Sequence, residues 1–293
     1  MAGAPDIVIP TYRPGPGFFG ILQKLEDQTL PHVKIIIMNT GEEYFDRSLD
    51  TAGVLERYDN IEIHHIPEGS FNHGGTRRAA ASFSAAEHLI YMTQDAEPAA
   101  DTLIEELQRP FEEHDDIAVT YARQLPKDGA SPIEAYNRSF NYPDTDRKKT
   151  EKDLPVLGIK TYFCSDVCAC YSRRIYDELG GHEDTDFNED MIYACRAVKA
   201  GYAVYYRASA GVYHSHDYGI KEQYRRNVEL GRSQALHPEV FGNVSSESEG
   251  EKLVKGCTGY LMKNGYWYLV PRFIAECAAR YMGYRKGKRI CAG

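Results

Sequence analysis

The 293-residue sequence contains no run of about 18 or more apolar residues, so no segment of it reads as a membrane-crossing helix. Its opening, "MAGAPDIVIPTYRPG", lacks a basic stretch leading into an apolar one. No secretory signal is read there, and a cytoplasmic protein is expected. The seven cysteines are odd in number and follow no regular framework, which fits reduced thiols. The close trio Cys164, Cys168 and Cys170 has no second cluster to complete a zinc site. Neither GxGxxG after the first apolar run nor GxxxxGKS or GxxxxGKT occurs anywhere, so the usual fingerprints of dinucleotide and P-loop sites are missing. Basic charge is scarce outside the C-terminal end: residues 251–293 hold nine Lys/Arg against two Asp/Glu, while the other 250 residues hold 25 against 41. An acidic body excludes nucleic acid as the expected partner and leaves small phosphorylated ligands open.

What is present alternates. "DIVIPTY" and "VKIIIMNTG" are short β-branched runs ended by turn residues, and between them "FFGILQKLEDQ" places Phe18, Ile21, Leu22 and Leu25 at helical spacing. The alternation continues through "IEIHHIP", the Ala-rich "GGTRRAAASFSAAE", "HLIYMTQ", "ADTLIEELQRPFEE" and "DIAVTYARQ". An α/β fold with parallel strands follows, its ligand site at the carboxyl ends of those strands. Residues 124–160 lapse into a polar stretch rich in Pro, Asp and Lys, read as a loop or an irregular substrate wall. "YFCSDVCACYSRRIYDELGG" then reads as strand and helix, and "DTDFNEDMIYACRAVKAGYAVYYR" as an acidic turn, a helix and a strand.

Four polar clusters fall at element ends. "YMTQDAEP" stops an apolar run on Thr93, Gln94 and Asp95. Glu189 and Asp190 stand at a helix start, where the dipole and free amides favour carboxylates, so capping is one reading and chemistry another. "FNHGGTRR" puts Arg77 and Arg78 in a first helical turn against the dipole, which suggests a nearby anion; a solvated pair is the alternative. "VYHSHDY" sets His214 and His216 on one side by the period of two. With Asp95 they form an oxygen and nitrogen donor set suited to Mn or Mg, although such histidines are also common without a ligand.

Taken in order, "IVIPTYRPG", "IIMNTGEE", "TRRAAA", "YMTQDAEP", "GGHEDTDFNED" and "VYHSH" resemble the family 2 inverting glycosyltransferases of the GT-A fold, over roughly residues 5 to 220. "FNHGGTRR", "TQDAEP", "CSDVCACYSRR" and "FNEDMIYACRAVKAGY" are similar, more narrowly, to bacterial rhamnosyltransferases that build surface polysaccharides. The resemblance implies a Rossmann-like nucleotide-sugar fold with a mixed, mainly parallel central sheet and a C-terminal helical extension. It divides the chain into a catalytic domain, 1–220, and the extension, 221–293. It also implies roles: Asp95 holding Mn or Mg on the donor diphosphate, with His214 and then His216 as further ligands; Gln94 at the ribose or first phosphate; Thr11, Tyr12 and Arg13 near the nucleotide; and Asn39 at the base. His73 and Arg77 fall among the donor-binding positions, Arg77 at the diphosphate. Asp190 matches the family's base, and Glu189 its neighbour that positions acceptor or base. Gln94 and Asn39 stand where the family has acids, and Arg78 where it has Asn. The implied donor is dTDP-β-L-rhamnose and the implied acceptor a lipid-linked saccharide.

Two other functions stay open: a sugar-nucleotide-binding module without turnover, and a metal-dependent nucleotidyltransferase. The tail, "YLVPRFIAECAARYMGYRKGKRI", reads as a helix from about Pro271 with Val270, Phe273, Ile274, Cys277, Ala278 and Tyr281 on one face and a basic end. It either packs on the body or lies on an anionic membrane through residues 270–291, at the inner face of the cell membrane.

Overall fold

The β-branched runs form strands because alternate side chains, and in buried strands all of them, pack on covering helices. In the computed structural model, which describes residues 3–32, 34–242 and 247–290, they are β1 (Asp6–Thr11), β2 (Ile35–Thr40), β3 (Ile61–Ile66) and β4 (His88–Met92). Val33 and residues 291–293, named above for a strand run and for the tail, lie outside the described residues. Further strands are β5 (Glu97–Pro98), β6 (Ile117–Leu125), β7 (Arg147–Lys149), β8 (Cys168–Ser172) and β9 (Ala203–Tyr213). Their spatial order is β3-β2-β1-β4-β8-β6-β9-β5, with β7 on β9.

β3, β2, β1 and β4 pair in parallel, and β8 runs antiparallel between β4 and β6. β6 therefore shares the direction of the first four, and the sheet is mixed and mainly parallel, as expected. Parallel neighbours require crossovers, and the helix Pro16–Glu26 makes the first one. Pro16 stands in its first turn, where its missing N–H costs nothing, and the helix buries Phe18, Phe19, Ile21, Leu22 and Leu25. These meet Ile7, Ile9, Ile35 and Ile37 in one core, each side chain contributing about 1.5–3 kcal/mol by leaving water. The parallel register sets Thr11 beside Asn39, so the ends of β1 and β2 open on one rim.

The chain divides into two compact units: Met1–Arg123, Asp144–Asp153 and Thr161–His214 form the first, and Gln124–Pro143, Leu154–Lys160 and Ser215–Gly293 the second. The polar stretch read as a loop is in part regular. Within the second unit it forms the helix Pro132–Asn141, which Ser131 caps by accepting from the Glu134 N–H at 3.2 Å, with Pro132 in the first turn. Those two start signals outweigh the polar composition around them.

The second unit is helical, with Ile220–Leu236, Glu247–Lys263 and Val270–Ile290 its longest elements. The last of these meets Ile220–Leu236 through small residues. A Cβ at Gly283 would lie 2.4 Å from the Tyr224 carbonyl oxygen, and one at Gly287 2.1 Å from that of Val228. The buried stripe is Phe273, Glu276, Ala279, Gly283 and Gly287. The face expected from hydropathy is therefore split: Phe273 is buried, while Ile274 and Tyr281 are 45% and 53% exposed. Backbone proximity at glycine, which hydropathy does not weigh, selected the packed face. The outer face is mostly apolar in its first half, with Pro271, Ile274, Ala278, Tyr281 and Met282 beside Arg272, and basic in its second, with Arg285, Lys286 and Arg289. Among the described residues no helix is long and apolar enough to cross a membrane.

Candidate active site

The strand ends hold the first group of predicted residues. Thr11 Oγ1 donates to Asn39 Oδ1 at 3.1 Å, and the Asn39 amide donates to the Gly41 carbonyl at 2.8 Å and lies 3.0 Å from His65 Nδ1. Both Thr11 and Asn39 are buried, so Asn39 ties the ends of β1 and β2 together. Gln94 is engaged in a similar way: its Oε1 accepts from the Tyr12 N–H at 2.8 Å and its amide donates to the Tyr12 carbonyl at 3.1 Å. The chain leaving β4 thus braces the chain leaving β1. Tyr12 Oη donates to Glu68 at 2.8 Å. The guanidinium of Arg13, a residue held at φ 49°, lies over the Tyr44 ring at 4.1 Å.

Asp95 sits in the turn that Ala96 N–H closes onto the Thr93 carbonyl at 3.1 Å. That turn feeds β5, whose Glu97 pairs with Tyr213 of β9. Antiparallel pairing at that register carries the next residue of β9's chain, His214, back toward Asp95. The two side chains approach to 3.5 Å, His214 nearly enclosed and Asp95 about a third exposed. His216 lies two residues on, in the second unit.

The third group is a buried charge network. Arg77 is 2% exposed, and its guanidinium lies 3.2 Å from Asp166 and 3.1 Å from Glu189. Asp166 also lies 3.1 Å from His182 Nε2 and accepts from Tyr171 Oη at 2.6 Å. Burial pushes the Asp166 carboxyl up, but His182 and Arg77 prevail and hold it below the usual carboxylate range. Tyr176 and Tyr91 complete the cluster: Tyr176 Oη is 2.9 Å from His182 Nδ1, and Tyr91 Oη donates to the Arg77 carbonyl at 3.0 Å. Arg77 thus serves two carboxylates. His73, one turn back, lies exposed with Nδ1 3.4 Å from the Arg77 guanidinium. Arg78 points elsewhere, to Asp184 at 2.6 Å and the His182 carbonyl at 2.9 Å.

Glu189 and Asp190 open the helix Glu189–Lys199 after Asn188, a non-glycine residue in the left-handed region at φ 63°. Asp190 Oδ1 accepts from the Met191 N–H at 2.7 Å and Oδ2 from the Asp166 N–H at 3.3 Å. Burial, then the charges of Glu189 and Asp166, push the Asp190 carboxyl well above its usual range. Two donors fix its orientation while its neighbours raise its affinity for a proton. A carboxyl so held and so raised is suited to accepting a proton.

The sequence reading did not single out His182, Tyr171 or Tyr176. Its available signal was the glycine pair of "FNHGG". A Cβ at Gly74 would lie 1.7 Å from the Glu183 carbonyl oxygen, and Gly74 N–H donates to the Thr185 carbonyl at 3.0 Å. The segment 182–185 is therefore seated directly on the start of the Arg77 helix.

Residues 6–180 match the description Glycosyl transferase family 2. The O-antigen chain rhamnosyltransferase RfbN of Salmonella typhimurium is 36% identical over 288 residues, covering 96% of this chain and 88% of its own. WbaN of Salmonella anatum, of the same description, is 34% identical with the same coverages. Among solved structures, a mannosyltransferase from Pyrobaculum calidifontis in complex with GDP-Man and Mn2+ superposes with a TM-score of 0.61 at 12% identity, covering 96% of this chain and 88% of that one. TarS residues 1–349 of S. aureus superposes at 0.56, also at 12% identity, covering 98% and 90%.

Proposed function

The chain belongs to glycosyltransferase family 2 and has the GT-A fold, and from that premise we propose that it transfers L-rhamnose from dTDP-β-L-rhamnose, with inversion, to a hydroxyl of a lipid-linked saccharide in cell-surface polysaccharide synthesis. The observation that carries the chemistry is Asp190, held by two backbone amides and raised in proton affinity beside Glu189. The likeness to two rhamnosyltransferases supports the choice of sugar.

Asp190 takes the proton of the acceptor hydroxyl as its oxygen bonds to the anomeric carbon and the bond to the diphosphate breaks, leaving an α-linkage. Glu189, paired with buried Arg77, positions the acceptor or the base. Thr11, Tyr12, Arg13, Asn39 and Gln94 shape the nucleotide side of the rim, and His73 lies at the donor. Arg77, with both neighbouring carboxylates to neutralise, acts as a positioning group and not at the diphosphate.

Asp95 and His214 present an oxygen and a nitrogen donor 3.5 Å apart at a part-exposed strand end, a set that fits Mn or Mg. His216 is proposed as a further ligand. When bound, the ion offsets the negative charge of the departing nucleoside diphosphate.

The acceptor reading assigns the outer face of the helix Val270–Ile290 to the inner face of the cell membrane. Its exposed Ile274, Tyr281 and Met282, with Trp267 and Tyr268 just before it and cations after, suit an anionic interface. A thermal-shift panel of nucleotide sugars with and without Mn or Mg tests the donor. Stabilisation by dTDP-L-rhamnose is expected, and stabilisation by UDP-sugars alone contradicts it. Binding without transfer or donor hydrolysis would identify a non-catalytic module, and pyrophosphate release from a nucleoside triphosphate a nucleotidyltransferase.

A further inference from the structure

Three carboxyl groups, Asp166, Glu189 and Asp190, are set against one guanidinium, that of Arg77 on the helix His73–Ala81. Arg77 is spent on the first two, at 3.2 and 3.1 Å. Asp190 accepts from two backbone N–H groups and has no ion pair among the described residues. The Cys164 thiol and the Tyr171 phenol also face it, but burial pushes both up, so near neutral pH neither brings it a charge.

Asp166 is held quite differently. Its Oδ1 accepts from Tyr171 Oη at 2.6 Å, and its Oδ2 lies 3.1 Å from His182 Nε2 and 3.2 Å from Arg77 Nε, so both oxygens are engaged. His182 is itself fixed, with Nδ1 2.9 Å from Tyr176 Oη and its backbone N–H donating to the same oxygen at 3.1 Å. Asp166 is 2% exposed and His182 fully enclosed, whereas Asp190 keeps partial exposure. In this arrangement the acceptor hydroxyl meets Asp190, and the pair stands behind it. A like charge fixed beside a carboxyl raises that carboxyl's affinity for a proton.

We infer that Asp166 is a positioning residue acting through Asp190: its N–H orients the base, and its carboxylate, clamped by Tyr171, His182 and Arg77, is the fixed charge that makes Asp190 the member of the three that takes the saccharide's hydroxyl proton. The inference rests on Asp190 as the base of the proposed function. It carries a sign that a packing role would not. Removing the Asp166 charge lets Asp190 give up its own proton at lower pH, so the base is ready under more acid conditions.

The test is carbon-13 NMR titration of the full chain labelled at the aspartate carboxyls, with the Asp190 signal identified by its loss in Asp190→Asn. Transfer from dTDP-β-L-rhamnose is followed across pH on the same variants. In the wild type Asp190 is expected to titrate above the usual carboxylate range, and in Asp166→Asn both that titration and the acid limb of transfer should move to lower pH. Asp184→Asn, at an exposed position paired with Arg78, should move neither. Asp166→Ser, with a smaller polar side chain, carries the same expectation if Asp166→Asn fails to fold. Titration of Asp190 in the usual carboxylate range in the wild type, or a rate lowered equally at every pH in Asp166→Asn with the limb in place, would overturn the inference. A titration displaced as expected in a protein that transfers no sugar at any pH would support the charge coupling and count against the transferase reading alone.

Discussion

The Asp166 backbone N–H donates to Asp190 Oδ2 at 3.3 Å, so the segment entering β8 and the start of the helix Glu189–Lys199 meet at one carboxylate. Asp166 also engages Arg77 and His182 through its side chain. Asp190, the proposed base, is thereby linked, through one residue, to the buried network behind it.

Asp190→Asn keeps the shape of the side chain and, through its amide oxygen, one of its two backbone hydrogen bonds, but removes the proton acceptor. Transfer should fall at least about a hundredfold, with donor affinity and folding near normal. In the wild type, a carboxyl raised by burial and by Glu189 and Asp166 should place the acid limb of the rate profile above the usual carboxylate range. Below that limb Asp190 is protonated and transfer is lost. Calorimetry and product formation on one preparation separate binding from chemistry, and substantial residual transfer would move the role to Glu189 or Asp166.

Arg77→Met would leave Asp166 and Glu189 buried without their cation. Removing one partner from a buried ion pair costs about 3–5 kcal/mol, so a large loss is expected in urea unfolding. A variant of wild-type stability with weakened donor binding would instead make Arg77 a diphosphate ligand.

The strands were legible because "DIVIPTY", "IIIMNTG" and "HLIYMTQ" are apolar enough to be buried on both faces, and Asp95 was visible as the acid that ends such a run. His214 was legible from its distance to the end of β9. Arg77 was legible only as a cation near an anion; the pairing with Asp166 and Glu189, both distant in sequence, shows that it is buried against carboxylates of the chain itself. The tail helix shows a similar limit, since Gly283 and Gly287 select its packed face by letting two backbones approach. The helix Pro132–Asn141 was missed because the reading of 124–160 rested on its polar composition and did not weigh the Ser131 and Pro132 start signals.

Gly74→Ala should be costly where Gly20→Ala is not. The added methyl at Gly74 meets the Glu183 carbonyl at 1.7 Å, whereas nothing lies within 4 Å at Gly20. Overpacking of this kind costs about 1–3 kcal/mol, and displacement of 182–185 should disturb the Asp190 network and lower transfer. Gly20→Ala, in the middle of a helix, should gain about 0.4–1 kcal/mol. Denaturant midpoints of both variants check the contrast, and equal effects would refute it.

Asp95→Asn removes the one carboxylate of the proposed ion site. The tightening of dTDP binding by Mn or Mg should disappear while the fold is retained, as read by calorimetry with and without the ion. Metal dependence that survives the substitution would exclude Asp95 as a ligand.

The most direct measurement is incubation of the full chain with dTDP-β-L-rhamnose, a divalent cation and a lipid-linked saccharide acceptor, followed by NMR of the product's anomeric centre. Release of dTDP with formation of an α-rhamnosyl linkage is the predicted result. A β-linkage, or no glycoside formed from this donor while another nucleotide sugar is consumed, would contradict it.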